Sequence, residues 1–456
     1  MCGIASAICP DLTAPRIVHK MLRVLQNRGN QEAGIAISGG CQTNDLIVCK
    51  GPGRPDDVFN PNAQQLLRGR ASIGHARYAT SGNKGSEGAH PFKFGDVAVC
   101  HNGNVVNTKE LKKKLAKNTE LTIGSDTEII AALIAQAKGS LHKRITSVCS
   151  QLKGSYVLSV LQAGGTIAVA RDPQGIRPAH VGQIKLGGKK FCHLVASETC
   201  AIEMVGGKVV GEIEPGTVQY FFPDNTTKVR RFAAKRKHAH CIFELIYFTR
   251  PMAEFNQVSS YTFDQALGRA LARQMKLNAD PNAIVIPVLK SGLCGALGLA
   301  QESGIKYDPI LIDTGLSNRT FMERFQFERV NGNQLKHFPV RTPAGLRYII
   351  VDDSIVRGTA GKSIIEVLRR NNPKSIELAI PCPMFVKRCR WGIDTATDKE
   401  LIAYRHKGNI TAIRKELGAD ALHYLTLENL KGVVAEFGWD PDEFCYECFG
   451  GKSPII

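Results

Sequence analysis

The chain has 456 residues, enough at about 150 residues per domain for three domains or two large ones. A composition of 43% hydrophobic and 22% charged residues excludes a disordered or fibrous chain. The net charge of +18 favours anionic partners, without choosing between phosphorylated small molecules and nucleic acid. No run approaches the roughly 18 apolar residues of a membrane span. Met1-Cys2-Gly3-Ile4-Ala5 lacks the charged start and long apolar stretch of a signal peptide, so no membrane contact and a cytoplasmic location are expected. Fourteen cysteines in such a chain argue against a disulfide framework. They leave three roles: reactive thiol, metal or cluster ligand, and core residue.

In chain order, the first 220 or so residues read as short strands with glycine-rich turns and a few helices. Strands are expected at 96–100 and 155–162, and a helix over 124–138 behind a polar Ser-Asp-Thr-Glu entry. Around 226–240 the composition shifts to a basic stretch: Lys228, Arg230, Arg231, Lys235, Arg236 and Lys237. It reads as a solvated connector, with nuclear localisation or RNA contact as the alternative. Beyond it come a helix over 263–276, a strand over 283–288 and the loop Lys290-Ser291-Gly292. A strand over 348–351, the pair Asp352-Asp353, a helix over 361–370 and a strand over 376–380 follow. Strand–loop–helix units in this order imply a parallel sheet with helices on both faces, whose ligands sit at the carboxyl ends of strands. Both loops fall at such ends.

Cys2 is the most informative residue of the first half. Removal of Met1 would make its α-amino group, with a pKa near 8, a base for its own thiol. Three further segments accompany it: Gly74-His75-Ala76-Arg77-Tyr78, His101-Asn102-Gly103-Asn104 and Ser125-Asp126-Thr127-Glu128. Taken singly they could be a surface ion pair, a hairpin turn and a helix cap. Together and in this order, with Met-Cys-Gly-Ile, they resemble a class II glutamine amidotransferase domain of the N-terminal nucleophile hydrolase type. Gly29-Asn30 stands where that family has Gly-Gln. The resemblance implies an α+β domain over residues 2–230, with Cys2 as nucleophile. It implies oxyanion donors at the Asn102 side chain and the Gly103 N–H. Arg77 can hold the α-carboxylate of glutamine bidentately, and Asp126 its α-ammonium group.

The second signal is Val351-Asp352-Asp353-Ser354-Ile355-Val356-Arg357-Gly358-Thr359. An apolar strand leads into two carboxylates, a small-residue loop and a helix. Asp352 and Asp353 can hold ribose hydroxyls and help place Mg²⁺. The loop 355–359 offers backbone N–H groups and the Thr359 hydroxyl to a phosphate. Gly358-Thr359-Ala360-Gly361-Lys362-Ser363 ends like a Walker A loop, but Val356 stands where that motif needs glycine, so it is not a P-loop. The segment resembles the phosphoribosyl pyrophosphate motif of type I phosphoribosyltransferases, and above all that of the glutamine phosphoribosylpyrophosphate amidotransferases. An α/β phosphoribosyltransferase domain over 240–456 is implied. Lys290, Ser291, Asp352, Asp353, Ser354, Arg357, Gly358 and Thr359 would bind the substrate, with Ser291, Asp352 and Asp353 around Mg²⁺. Two stretches depart from the family pattern. Leu289-Lys290-Ser291-Gly292 replaces Pro-Asp-Ser-Gly, and in Thr314–Phe321 only Arg319-Thr320-Phe321 is kept.

Cys445-Tyr446-Glu447-Cys448 is a C-x-x-C pair near the C-terminus. By itself it fits a zinc half-site, a redox pair or chance. Cys241 (before Ile242-Phe243-Glu244) and Cys389 (before Arg390-Trp391-Gly392-Ile393-Asp394) lie in contexts that resemble the iron–sulfur subset of these amidotransferases. That resemblance makes Cys241, Cys389, Cys445 and Cys448 the ligands of a [4Fe–4S] cluster, with four-cysteine zinc as the physical alternative. Cys382 competes for the second ligand position, but lacks the Gly-Ile-Asp context. The remaining cysteines are expected to be core residues or inert thiols.

The implied activity makes 5-phosphoribosylamine from glutamine and phosphoribosyl pyrophosphate, the first step of purine synthesis. Purine nucleotides are the expected feedback inhibitors and a homo-oligomer the expected assembly; nucleic acid is not an expected partner. The altered loops leave room for a paralogue that passes ammonia to another phosphoribosyl or nucleotide acceptor. A non-enzymatic regulator would require the joint presence of Cys2, Arg77, Asn102 and Asp126 to be chance.

Overall fold

The computed structural model describes residues 2–39, 45–78, 86–188, 190–313, 337–340, 343–395 and 397–453. Two antiparallel sheets form the first half. One has seven strands in the spatial order Lys208–Glu212, His180–Gly187, Lys190–Ala196, Gly3–Ile8, Ala71–Arg77, Glu32–Ser38 and Ile47–Pro52. The other has six: Thr227–Arg231, Thr217–Phe221, Ile167–Arg171, Gly154–Gln162, Val97–Val105 and Phe92–Phe94. Small and β-branched residues of both inner faces make one apolar layer, including Ile4, Ala36 and Ile73 from the first sheet and Ala98, Val157 and Val169 from the second. Within it Ser6 and Ser159 share a hydrogen bond of 2.7 Å across the sheets. The helix Ala14–Val24 covers the outer face of the first sheet. The helices Asp126–Gln136 and Leu141–Cys149 cover the outer face of the second. The result is a four-layer sandwich, helix–sheet–sheet–helix, as two amphipathic sheets that must bury both faces require.

The second half holds a five-stranded, all-parallel sheet in the order Lys306–Tyr307, Ala283–Pro287, Arg347–Val351, Ser375–Ile380 and Ala421–Tyr424. Its central strands are continuous apolar runs, such as Ala283-Ile-Val-Ile, because helices cover both faces. Strand order reverses between Ala283–Pro287 and Arg347–Val351. The loops that follow these two strands therefore lie at the switch point where such sheets bind ligands.

The expected elements are present with shifted ends. The helix expected over 124–138 runs Asp126–Gln136, because the Ser125 hydroxyl accepts the Glu128 N–H at 3.2 Å and caps it there. The helix expected over 361–370 begins at Thr359, so the phosphate-type loop runs directly into its first turn. The basic connector is partly a strand. Thr227–Arg231 is the exposed edge of the six-stranded sheet, Arg231 pairs with Glu214 at 2.5 Å, and Lys237 pairs with Asp440 at 3.1 Å. The expectation of unpaired cysteines also needs correction. Cys9 and Cys192 form a disulfide, with Cα atoms 4.3 Å apart. The register Ile8↔His193 sets the two side by side although 183 residues separate them in sequence. The segment Thr314–Phe321 lies outside the described residues.

Candidate active sites

Cys2 is half-buried and directly precedes the strand Gly3–Ile8. The register Gly3↔Ala76 sets it beside Arg77 at the end of the neighbouring strand. The facing sheet supplies His101-Asn102-Gly103-Asn104. The Arg77 guanidinium is buried, donates to Glu32 Oε2 at 2.5 Å, and lies under the turn at Gly88. Asp126 accepts N–H groups from Val105 at 3.2 Å and Thr127 at 2.7 Å, and approaches His101 Nδ1 to 3.4 Å. Asn102 is buried, and its side-chain amide nitrogen has no partner among the described residues. A buried donor without a partner costs free energy unless something else needs it.

His101 is the residue that sequence reasoning missed. Burial alone would lower its pKa, but Asp126 overrides burial, Cys2 adds a smaller pull, and the net shift is upward. Burial likewise opposes ionisation of Asp126, yet His101 and two backbone N–H groups hold its carboxyl below the usual range. Neighbouring His75 is driven to about 3 by burial and by Arg77, so it stays neutral. The signal for His101 lay inside a segment already singled out; what was missing was that Asp126, at a helix start, would turn towards it.

The second site is a cavity of about 470 Å³ at the switch point. Lys290, Ser291, Asp352, Asp353, Ser354, Arg357, Gly358 and Thr359 all line it. Ser291 Oγ donates to Asp352 Oδ1 at 2.7 Å, and Ser354 Oγ to Asp353 Oδ1 at 3.0 Å. Burial, then the charge of Asp352, pushes the Asp353 carboxyl well up. Two crowded carboxylates of this kind are what a divalent cation would relieve, so the residues fit Mg²⁺. Gly358 precedes the ten-residue helix Thr359–Leu368, whose free N–H groups open towards the cavity wall. Arg357 is turned to the rim, where it donates to Glu400 Oε2 at 2.6 Å. Lys290 sits in the loop at φ 74°. Tyr78, directly after Arg77, and Asn27 and Arg28 form part of the same wall, so both halves of the chain border this cavity.

The four cysteines singled out also meet. The short strands His240–Cys241 and Phe444–Cys445 pair in parallel, with Cys241 opposite Cys445. Cys241 and Cys389 both pack against the small cluster of Ile176, Ala239, Trp391 and Cys445. The thiol of Cys448 is pushed up by burial and then by Cys241, Cys389, Cys445 and Cys382 in turn, which sets all five within electrostatic reach. Among the described residues, the donors close enough for a single ion, within 4.8 Å of one another, are Cys9, Asp11 and Cys192, and two of those three are disulfide-bonded. Four thiols gathered in this way could hold either a four-cysteine zinc or an iron–sulfur centre.

Comparison with known proteins agrees with this geometry. A glutamine amidotransferase domain family matches residues 75–204. The amidophosphoribosyltransferase of Archaeoglobus fulgidus is 35% identical over 100% of this chain and 98% of its own length. The Bacillus subtilis enzyme of the same name is 36% identical over 97% and 91%. The chain belongs to the amidophosphoribosyltransferase family. It is an enzyme, with a class II glutamine amidotransferase fold followed by a phosphoribosyltransferase fold. Two solved structures superpose over all of it. The allosteric regulatory enzyme of purine biosynthesis has a TM-score of 0.89, 34% identity and 96% of its chain covered. The B. subtilis glutamine phosphoribosylpyrophosphate amidotransferase, complexed with ADP and GMP, has a TM-score of 0.87, 33% identity and 97% covered. No helix among the described residues is long and apolar enough to cross a membrane.

Proposed function

We propose that this chain hydrolyses glutamine at Cys2 and uses the ammonia to displace pyrophosphate from phosphoribosyl pyrophosphate, making 5-phosphoribosylamine for purine synthesis. The observation that carries this reading is the cavity walled by Asp352, Asp353 and the phosphate-type loop on one side and by Tyr78 beside the Cys2 site on the other. The division between the two halves is proposed to lie near residues 230–240.

In the first half-reaction the free α-amino group takes the thiol proton and Cys2 Sγ attacks the side-chain amide carbon of glutamine. The oxyanion accepts hydrogen bonds from Asn102 Nδ2, which has no other partner among the described residues, and from the Gly103 N–H. Collapse expels ammonia and leaves a thioester that water hydrolyses. Arg77 binds the α-carboxylate beside its Glu32 contact, and Asp126 the α-ammonium group. In the second, ammonia attacks the anomeric carbon of the ribose and pyrophosphate leaves. Asp352 and Asp353 hold the ribose hydroxyls, Ser354, Arg357, Gly358 and Thr359 take the 5′-phosphate, and Lys290 and Ser291 take the diphosphate. Mg²⁺ held with Ser291, Asp352 and Asp353 would neutralise the leaving group.

The convergence of Cys241, Cys389, Cys445 and Cys448 supports a [4Fe–4S] cluster in a structural role, with four-cysteine zinc as the alternative. Arg177 faces two of these thiols and supplies counter-charge. Control by purine nucleotides is supported by the relative solved with ADP and GMP, and a homo-oligomer in the cytoplasm is carried as part of the same reading. Cys2→Ser tests the central claim: glutamine-dependent synthesis is lost and ammonia-dependent synthesis is kept. Equal loss of both would refute the division of labour. A product other than phosphoribosylamine from ammonia and phosphoribosyl pyrophosphate would favour a different acceptor.

A further inference from the structure

The segment Arg390–Gly392 comes from the phosphoribosyltransferase half, yet it lies against the strand that carries Asn102 and Gly103. Asn104 Nδ2 donates to the Arg390 carbonyl at 2.8 Å. The Trp391 carbonyl accepts Ser155 Oγ at 2.6 Å, Arg177 Nε at 3.1 Å and Arg177 Nη2 as well. Three donors on one carbonyl exceed its two lone pairs and hold it from several directions. Ser155 Oγ also accepts the backbone N–H of Asn104 at 3.3 Å, so a single hydroxyl ties Trp391 to the peptide directly after Gly103.

Gly103 and Gly392 then meet backbone to backbone. Gly392 is at φ 109°, and a Cβ there would lie 3.0 Å from the carbonyl carbon of Gly103 and 3.1 Å from its oxygen. Gly103 is at φ 147°, and a Cβ there would lie 2.1 Å from the Ser155 carbonyl oxygen. The Gly103 peptide is thus boxed between Ser155 and Gly392, at a conformation that only glycine adopts without strain. The other end of the segment is fixed independently. Trp391 Nε1 donates to Glu447 Oε2 at 2.6 Å, and Arg390 Nη2 to Glu447 Oε1 at 2.8 Å.

We propose that Trp391 and Gly392 are positioning residues for the glutaminase reaction: by holding the Gly103–Asn104 peptide they fix the orientation of the preceding Asn102–Gly103 peptide, so that the Gly103 N–H and Asn102 Nδ2 are in place before glutamine arrives. The proposal rests on the oxyanion role given to Asn102 and Gly103 above. Such donors act by being fixed at the position the transition state needs, and a misplacement of about 1 Å can cost on the order of 100-fold.

The test uses the full-length enzyme with Gly392→Ala, Ser155→Ala and Asn102→Ala. Gly392→Ala inserts a methyl group against the Gly103 carbonyl; Ser155→Ala removes the tie from Trp391 to Asn104. Each is expected to lower glutaminase kcat by about 10- to 100-fold while the KM for glutamine stays within about twofold, because the lost interaction belongs to the transition state. Ammonia-dependent synthesis and the rate of Cys2 alkylation by iodoacetamide should stay at wild-type values. A rise in KM at unchanged kcat overturns the proposal. Wild-type kcat in a folded Ser155→Ala overturns it too, and Ser155→Ala decides if Gly392→Ala does not fold. Asn102→Ala separates the two levels. If it alone loses kcat, positioning by Trp391 and Gly392 fails and the oxyanion reading stands; if it too keeps wild-type kcat, the oxyanion reading fails and this inference with it.

Discussion

Glu244→Gln probes the buried ionic network that joins the two halves. Glu244 opens the helical turn Glu244–Phe248 and is buried. Its carboxylate accepts Arg28 Nη1 and, at 2.8 Å, Arg177 Nη1. Arg28 also donates to Glu198 Oε1 at 2.5 Å, and both guanidinium groups are fully enclosed. Burial alone would raise the pKa of Glu244, but the two guanidinium groups hold it below the usual carboxylate range. Glutamine keeps the shape and removes the charge, leaving two buried cations with Glu198 as the remaining carboxylate among the residues named. Breaking a buried pair in this way costs about 3–5 kcal/mol. At ~2.1 cal/mol/K per residue over 456 residues the unfolding entropy is about 1 kcal/mol/K, so the melting midpoint should fall by about 3–5 °C. Scanning calorimetry reads this directly. The pH dependence supplies a sign check: a depressed carboxylate stabilises above its unfolded pKa and loses that contribution as pH falls through its native value. The difference between wild type and Glu244→Gln should therefore shrink on acidification. A shift below about 1 °C at neutral pH, or a more stable glutamine variant, would show that the network contributes nothing net.

His101 should titrate above its ordinary value of 6.5, and Asp126→Asn should drop it below, since burial then dominates. The pair's contribution to stability is complete below 6.5 and fades as pH rises through the native value. Histidine NMR titration checks this, and a wild-type midpoint at or under 6.5 would refute the pairing. Asp352→Asn with Asp353→Asn should abolish binding of phosphoribosyl pyrophosphate with Mg²⁺ while basal glutaminase activity remains measurable. Unchanged binding by calorimetry would move the acceptor site elsewhere.

The elements were legible where local pattern decides. Ser125 and Glu128 announce a helix start, and Ala283-Ile-Val-Ile reads as a strand buried on both faces whichever partners it has. The switch point was half legible: the sequence shows two loops after strands, but that they are neighbours depends on which strands pair. Long-range register was invisible, and it accounts for the misses. Cys9 meets Cys192 because Ile8 faces His193. His101 gains its role because Asp126 turns inward. Gly392 meets Gly103 only because a segment nearly 300 residues downstream folds back onto the strand. No periodicity carries such facts.

The cysteine site shows how these long-range contacts share the energetic burden. Joining Cys241 to Cys445 closes a loop of about 200 residues, at a cost of about 5 kcal/mol. The two-residue ladder His240–Cys241 with Phe444–Cys445 cannot offset that alone. Aromatic packing shares the task. Phe243 meets Phe385 and Phe449 edge-on at 5.0 and 6.0 Å, and Phe255 meets Trp439 at 5.0 Å and Phe444 at 5.6 Å. Each such pair adds about 0.5–1.5 kcal/mol beyond its buried area, so the C-terminal tail stays docked through these contacts even with a ligand missing. Cys445→Ser should therefore lose iron from roughly four atoms per chain, and with it part of the thermal stability, while the protein remains folded and Cys2 still reacts with iodoacetamide. Complete unfolding would mean that the cluster, not the aromatic packing, holds the tail. Anaerobically purified wild type with about one zinc and no iron would replace the cluster by a tetrahedral zinc site.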